Sequence, residues 1–394
     1  MIAPLPLFAA EPPPGAEPAR DARALSNPRS TGTPFIRAWN AEDYNAAPVN
    51  YDVIQHPGHG LLYAANNYGV LEFDGATWRL IAMPNGGVAR TLALDARGRV
   101  WSGGSDEVAV LAPDARGTLQ ARSMLERLPE AERSFGALVF AAVAPQGVYF
   151  AATNRIVFFP PEGPARAWSP PKPIASLAWI GDALHLTTTD GAWLRLKGDT
   201  FTAVLPPAAR ERPTGAPPGQ ILAARPATGG GWRMLTPRGP VHWAGGSAPL
   251  VPIGGEAAVF FQAESAQSAV FLADGRMAFG RVLGGVAVFD PAGRFVQKID
   301  RTHGLPSNRV EQLCEDAEGG LWIAQRAGLA RVQLDSPFAK HGLAQGVEGR
   351  PRALHRHDGL LYIAHNEGAS WRDEATGEFH AVGGLSIGLT RFVS

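Results

Sequence analysis

Gly304-Leu305-Pro306-Ser307-Asn308-Arg309-Val310, then Glu315-Asp316-Ala317-Glu318-Gly319-Gly320-Leu321-Trp322-Ile323-Ala324, then Gly328-Leu329-Ala330-Arg331-Val332, spells out one supersecondary unit. Its parts are a turn signal, a strand, an acidic glycine-bearing hairpin, an aromatic strand, a second glycine turn and a third strand. Fainter copies run along the whole chain, and a repeat of this kind decides the architecture ahead of any other feature. Counted on the second strand, the anchors are Tyr63, Trp101, Tyr149, His185, Trp232, Ala278, Trp322 and Tyr362. Their spacings of 38, 48, 36, 47, 46, 44 and 40 residues average about 43, the length of four strands in a propeller blade. The fold expected is all-β, a β-propeller of four-stranded blades.

Each copy reads alike. A first strand such as Tyr51-Asp52-Val53-Ile54-Gln55 or Val310-Glu311-Gln312-Leu313-Cys314 precedes a glycine turn, and Leu61-Leu62-Tyr63-Ala64-Ala65 and Val70-Leu71-Glu72-Phe73 show the next two strands. Glycine supplies the positive φ of tight hairpins, while Trp, Tyr and Val suit pleated, half-buried strands. No long segment carries a helical period; Ser123 to Arg133 alone leaves room for a short helix.

A second echo sets the blade count. Thr33-Pro34-Phe35 leads into the first copy and Ser336-Pro337-Phe338 into the eighth, 303 residues later, which is seven repeats of about 43. Residues 33–337 therefore read as a seven-bladed ring, with Phe35-Ile36-Arg37-Ala38-Trp39 pairing into the last blade to remove the open edge. Residues 338–394 read as the first blade of an incomplete second propeller. The alternative closes all eight repeats in a single ring.

Composition agrees: 46 glycines and 34 prolines suit turns, not helices. Lys plus Arg equals Asp plus Glu at 36 each, so no global field steers the chain to nucleic acid or anionic membrane. Residues 1–32 begin with the apolar Ile2-Ala3-Pro4-Leu5-Pro6-Leu7-Phe8-Ala9-Ala10 and continue as a proline-rich run, like the end of a truncated secretory signal and a disordered spacer. A periplasmic or extracellular location is expected. No later stretch is long and apolar enough to span a membrane. Cys314 is the single cysteine, at the end of a first strand, so no intrachain disulfide or cysteine-based zinc site can form.

The segment Leu305 to Leu329 resembles the two-component regulator propeller repeat, whose pattern is Leu-Pro-Ser-Asn, a strand, Asp-x-x-Gly, Leu-Trp-Ile-Gly-Thr and Gly-Leu. Ala324-Gln325 replaces the usual Gly-Thr. Gly60 to Gly75 is similar to the opening blade of such sensors, and Arg99-Val100-Trp101-Ser102-Gly103-Gly104 to their second. The resemblance implies a ligand-binding sensory propeller of a bacterial receptor, here without its own output domain. Its implied partners are a small molecule or oligosaccharide, a receptor or kinase output module, or a second copy of the chain. A propeller enzyme of lyase or glycosidase type and a protein-interaction scaffold are the alternatives.

In a propeller the first strands line the channel, and the turns between second and third strands share a rim with the blade-to-blade connections. Polar residues at those turns are expected to converge above the channel as the ligand site: Asn66, Asn67, Tyr68, Ser105, Asp106, Glu107, Asn154, Arg155, Asp190, Arg238, Arg281, Gln325, Arg326, His365, Asn366 and Glu367. Planar guanidinium forks and amides bond carboxylates and hydroxyls well, although hairpin tips are also polar simply because they are solvated.

No catalytic group, metal or cofactor is expected. Asp74-Gly75-Ala76-Thr77-Trp78 approaches an Asp-box but lacks its spacing. The pairs His56/His59 and His355/His357 lack a third ligand nearby in sequence. Gly284-Gly285 and Gly229 to Gly231 open no helix and so make no phosphate cradle. Glu315-Asp316 belongs to the repeat hairpin, where an acid caps the turn.

Overall fold

The computed structural model describes residues 33–204, 219–336, 338, 340–373 and 378–383. The tail 1–32, Pro337 of the repeated lead-in and residues 384–394 lie outside the described residues.

Strand β1 (Phe35–Trp39) comes first and stands apart from the next sheet. Blade one holds β2 (Asn50–Gln55), β3 (Leu62–Asn66), β4 (Gly69–Phe73) and β5 (Trp78–Ile81). Blade two holds β6 (Ala89–Leu94), β7 (Val100–Gly104), β8 (Val108–Pro113) and β9 (Leu119–Ser123). Blade three holds β10 (Phe140–Ala144), β11 (Gly147–Ala152), β12 (Arg155–Phe159) and β13 (Arg166–Trp168). Blade four holds β14 (Ile174–Ile180), β15 (Ala183–Thr188), β16 (Trp193–Lys197) and β17 (Thr200–Ala203). Blade five holds β18 (Ala223–Pro226), β19 (Trp232–Thr236), β20 (Gly239–Trp243) and β21 (Leu250–Pro252). After helix α1 (Gly255–Ala263), blade six holds β22 (Ala266–Phe271), β23 (Met277–Arg281), β24 (Val286–Phe289) and β25 (Phe295–Ile299). Blade seven joins β26 (Val310–Glu315), β27 (Gly320–Gln325) and β28 (Gly328–Gln333) to β1. An eighth sheet holds β29 (Pro351–His357), β30 (Leu360–His365), β31 (Gly368–Arg372) and β32 (Phe379–Ala381). All pairings are antiparallel, and every sequence anchor from Tyr63 to Tyr362 falls on the second strand of its sheet.

The first strands neighbour one another in the order β2, β6, β10, β14, β18, β22, β26 and back to β2, a circuit of seven blades. As the sequence predicted, β1 closes it by pairing with β28 from Phe35↔Gln333 to Trp39↔Leu329. Trp39 then stacks on Trp322 of the same blade, 4.9 Å between ring centroids at 13°. Closure satisfies the backbone groups that an open edge would expose. The eighth sheet stands outside the circuit, tethered where Thr33 and Lys340 exchange backbone hydrogen bonds of 2.7 and 2.8 Å.

The core lies between the faces of adjacent blades. Tyr149 and Phe158 of blade three pack with Leu177, Leu184 and Leu186 of blade four, and Val286 and Val288 of blade six with Leu321 and Ile323 of blade seven. The hairpin acid sets each well-marked repeat. Asp316 Oδ1 accepts from the Glu318 and Gly320 amides at 3.1 and 2.7 Å, while Oδ2 accepts from Trp322 Nε1 at 2.9 Å and from Arg331 Nε. Asp95 repeats this with the Arg97 and Arg99 amides, the Arg99 side chain and Trp101 Nε1. One buried carboxylate thus ties turn, second strand and core tryptophan together.

Two local expectations need correction. The stretch 123–133 forms only two single 3-10 turns, at Leu125–Arg127 and Glu130–Glu132. Among the described residues the α-helix is α1, which sequence reading missed. Its Ala257, Phe260 and Phe261 are buried, with Phe260 5.4 Å from Phe289 and Phe261 4.7 Å from Phe279. Nine residues, apolar over most of their length, carry too little polar alternation to announce a helix.

Candidate functional site

The cavity that all seven blades share is the central channel, 720 Å³ in volume. Ligand pockets run from about 300 to 1,000 Å³. Its mouth is built by one device repeated around the ring, a β-bulge at the start of each first strand. In blade seven Val310 pairs with Gln325 and Gln312 with Ala324, leaving Glu311 unpaired. The same register step leaves out Tyr51, Arg90, Ala175 and Gln267. In blade three the Val139 amide bonds the Ala151 carbonyl that Phe140 also faces, and in blade five Leu222 does the same at Leu235. A bulge turns its extra side chain out of the pleat. All seven of these residues line the cavity.

The ring they make has two halves. Val139, Ala175 and Leu222 form an apolar arc over blades three to five, and Val139 is 42% exposed there. Gln267, Glu311, Tyr51 and Arg90 form a polar arc over blades six, seven, one and two. Glu311 Oε1 accepts from Arg309 Nε at 2.6 Å and Arg326 Nε at 2.7 Å, and Gln267 Nε2 lies 3.5 Å from Oε2. That carboxylate holds the Arg326 guanidinium above its ordinary pKa. The Arg90 guanidinium stands 4.9 Å over the Tyr51 ring, and its buried Nε has no hydrogen-bond partner among the described residues. Tyr51 is fixed in turn by its hydroxyl, which donates to Asn67 Oδ1 at 2.9 Å.

Just inside the mouth Asp52 accepts from the Leu92 amide at 2.7 Å, the Val53 amide at 2.8 Å and Thr91 Oγ1 at 3.2 Å, tying blade one to blade two. Burial pushes its carboxyl up to about 6 against those three hydrogen bonds. Ser268 Oγ is buried in the channel wall without a partner among the described residues. With Arg90 and Arg326 against Glu311, the polar arc offers guanidinium donors, an amide, a phenol and a carboxylate to one small volume.

The expected convergence of turn residues fails except at Arg326, which lines the mouth, and Asn67, which braces Tyr51. Asn66 is fully buried, donating to the Ala47 and Val49 carbonyls and to Asn50 Oδ1. Tyr68 is 60% exposed and lies off the cavity. Asp106 clamps the Phe135 and Gly136 amides at 2.6 Å each, and buried Glu107 accepts from Ser123 Oγ at 2.7 Å. Asn154 and Arg238 are exposed beyond the cavity. Arg155 pairs with Glu132 and donates to Ser169 Oγ. Buried Arg281 pairs with Glu264 at 3.2 Å, its guanidinium 4.7 Å from the Phe260 ring. Gln325 is buried, donating to the Ser307 carbonyl, while His365 bonds Ser370 Oγ at 3.1 Å and Asn366 accepts from the Arg350 amide in the eighth sheet. The reason is spacing: strands sit about 4.8 Å apart, so a turn between second and third strands stands a strand and a half beyond the first strand that lines the channel. Sequence reasoning missed Tyr51, Arg90, Gln267 and Glu311. The signal was present at the second residue of each first strand, where polar residues recur on blades one, two, six and seven.

Fold and channel together define a β-propeller. A comparison with family profiles matches residues 304–326 to the family described as Two component regulator propeller, so the chain carries that repeat. Among solved structures it is similar to the extracellular domain of the hybrid two component system BT3049 from B. thetaiotaomicron. The TM-score is 0.65 at 12% identity, covering 89% of this chain and 49% of that one. The BT4673 extracellular domain from the same organism gives 0.56 at 13% identity, covering 88% and 53%. The chain thus spans about half the length of these domains. Virginiamycin B lyase from Staphylococcus aureus gives 0.54 at 12% identity over 76% of this chain and 99% of that one. A comparison with curated protein sequences returned no match. At these identities the structures share the fold. Among the described residues no helix is long and apolar enough to cross a membrane.

Proposed function

We propose that the chain is the ligand-binding sensory propeller of a bacterial signal-transduction receptor and works outside the cytoplasmic membrane. Its ligand is a small hydroxylated molecule or short oligosaccharide carrying an acidic group. The observation that carries this reading is the bulge ring, in which Gln267, Glu311, Arg326, Tyr51 and Arg90 face one 720 Å³ cavity opposite an apolar arc. A ligand bridging blades six, seven, one and two there would change how their first strands sit, which is the differential contact a sensor needs. Likeness to extracellular domains of hybrid two component systems supports the reading. Signal output then rests with a module outside this propeller.

The test is a thermal-shift screen against monosaccharides, oligosaccharides, uronic acids and small organic acids, followed by calorimetry of each hit. Arg90→Ala and Arg326→Ala should each weaken binding by about tenfold or more, since a charge-assisted hydrogen bond is worth about 1.5–3 kcal/mol. Circular dichroism checks that both variants stay folded. A hit that is consumed would favour a propeller enzyme, and a panel without hits would count against the sensor.

A further inference from the structure

At the end of the ring opposite the channel mouth, blades four and five leave a cleft of 340 Å³. The strand register turns both of its walls inward. Trp193 and Arg195 alternate on β16, and His185 of β15 pairs with Arg195 across the ladder, so all three side chains point to blade five. From blade five, Trp232 of β19 and Trp243 of β20 are paired in register and point back to blade four. The rings meet between the blades: Trp243 lies 4.6 Å from Trp193 at 58° and 5.8 Å from His185 at 70°. Trp193, Trp243 and His185 are buried, while Trp232 is half-buried and lines the cleft. Asp182 in the β14–β15 turn and Ser247 in the β20–β21 turn are exposed at its rim.

The lining carries one formal charge of each sign, Arg195 and Asp182. Neither is in ion-pair contact with the other or with any other of the described residues. The one hydrogen bond of the Arg195 side chain runs to Thr202 Oγ1 at 3.4 Å. Burial, reinforced by the Arg195 charge and opposed by that of Asp182, pushes the His185 imidazole down to about 4. The ring is therefore uncharged at neutral pH, and the cleft has no net charge. His185 Nδ1 is buried without a partner among the described residues, and Nε2 also has none while it is not enclosed in the same way.

The geometry points to a second binding site, for a free α-amino acid with an apolar side chain. The ligand carboxylate meets the Arg195 guanidinium and accepts from His185 Nε2, the ammonium meets Asp182, and the side chain lies on Trp232. A ligand of a single sign leaves one lining charge without its counterpart, whereas a zwitterion satisfies both. A cleft of 340 Å³ suits a molecule of this size. The site shares no residue with the channel mouth and stands whether or not the mouth binds a ligand.

Titration calorimetry on the purified chain decides it, with phenylalanine and leucine as probes. The comparison compounds are 3-phenylpropanoate, which lacks the ammonium, 2-phenylethylamine, which lacks the carboxylate, and glucose. At least one amino acid should bind, with both single-charge compounds about tenfold weaker or worse than phenylalanine. Asp182→Asn and Arg195→Gln should each weaken the amino acid about fivefold or more. Phenylalanine as the tighter probe assigns an aromatic side chain, and leucine an aliphatic one. Asp182 is an exposed turn residue, so Asp182→Asn keeps the test sound even where Arg195→Gln disturbs folding. The proposal is overturned if neither amino acid binds, if a single-charge compound or glucose binds as tightly, or if Asp182→Asn binds like the unaltered chain. An amino acid lost in Arg90→Ala but kept in Asp182→Asn belongs to the channel mouth, which also overturns the cleft.

Discussion

Asp52 and Asp316 are both buried acids of one repeat architecture, yet their surroundings push their protons in opposite directions. Asp316 gains Arg331, two hairpin amides and the Trp322 indole, and these hold its carboxyl below the usual range despite burial. Asp52 has hydrogen bonds but no cation, so burial dominates and its carboxyl sits at about 6. In the unfolded chain the same group titrates near 3.9. Below that value both states hold the proton. Between about 4 and 6 the folded state keeps a proton that the unfolded state has released, so the stability Asp52 confers is lost as pH rises through this window. The difference in melting temperature between the natural chain and Asp52→Asn should therefore shift in favour of the natural chain on acidification from pH 6.5 to pH 4. A difference that does not move with pH would show that Asp52 is ionised throughout. The role of Asp316 was legible in the sequence as a turn-capping acid in a repeat hairpin. The elevated proton affinity of Asp52 was not, because nothing local marks a residue that the neighbouring blade buries.

At the level of elements, the third strand begins with glycine in four of the eight sheets, at Gly69, Gly239, Gly328 and Gly368, and in blade seven the reason is packing. Gly328 has φ +137°, and a Cβ there would run into the Trp39 carbonyl oxygen of β1. Gly60 also has a positive φ, +74°, but faces open space. Gly328→Ala should cost about 2–5 kcal/mol, combining a backbone conformation reserved for glycine with an overpacked contact at the closing strand. Gly60→Ala should cost only about 1–2 kcal/mol. Chemical denaturation of the two variants separates these values, and equal losses would mean that the closing strand is not held against β28 as described. Strand identity and order were readable because turn glycines and aromatic anchors recur at a fixed period. The bulges were not, since one extra residue in Val310-Glu311-Gln312 leaves no mark without a partner strand to register against. Candidate ligand residues were consequently sought at the turns and not one position into the first strands.

For the whole molecule, ring closure gives the bulges their meaning. Tyr51, Arg90, Gln267 and Glu311 are as far apart in sequence as 260 residues, and they share a cavity only because β26 comes to rest beside β2 and β1 seals blade seven. The Pro-Phe echo announced that seven-blade interval, and the pairing of Phe35–Trp39 into the last blade followed from the need to cover an edge. The chemistry of the mouth could not be read the same way, because each blade contributes one side chain and no local motif gathers them. Hydrogen exchange of the purified chain, with and without the tightest ligand from the thermal-shift screen, tests the account most directly. A sensor mouth predicts slowed exchange together at the starts of β2, β6, β22 and β26, in four separate blades. Saturating ligand that leaves these amides unchanged, or protects only amides elsewhere, would contradict it.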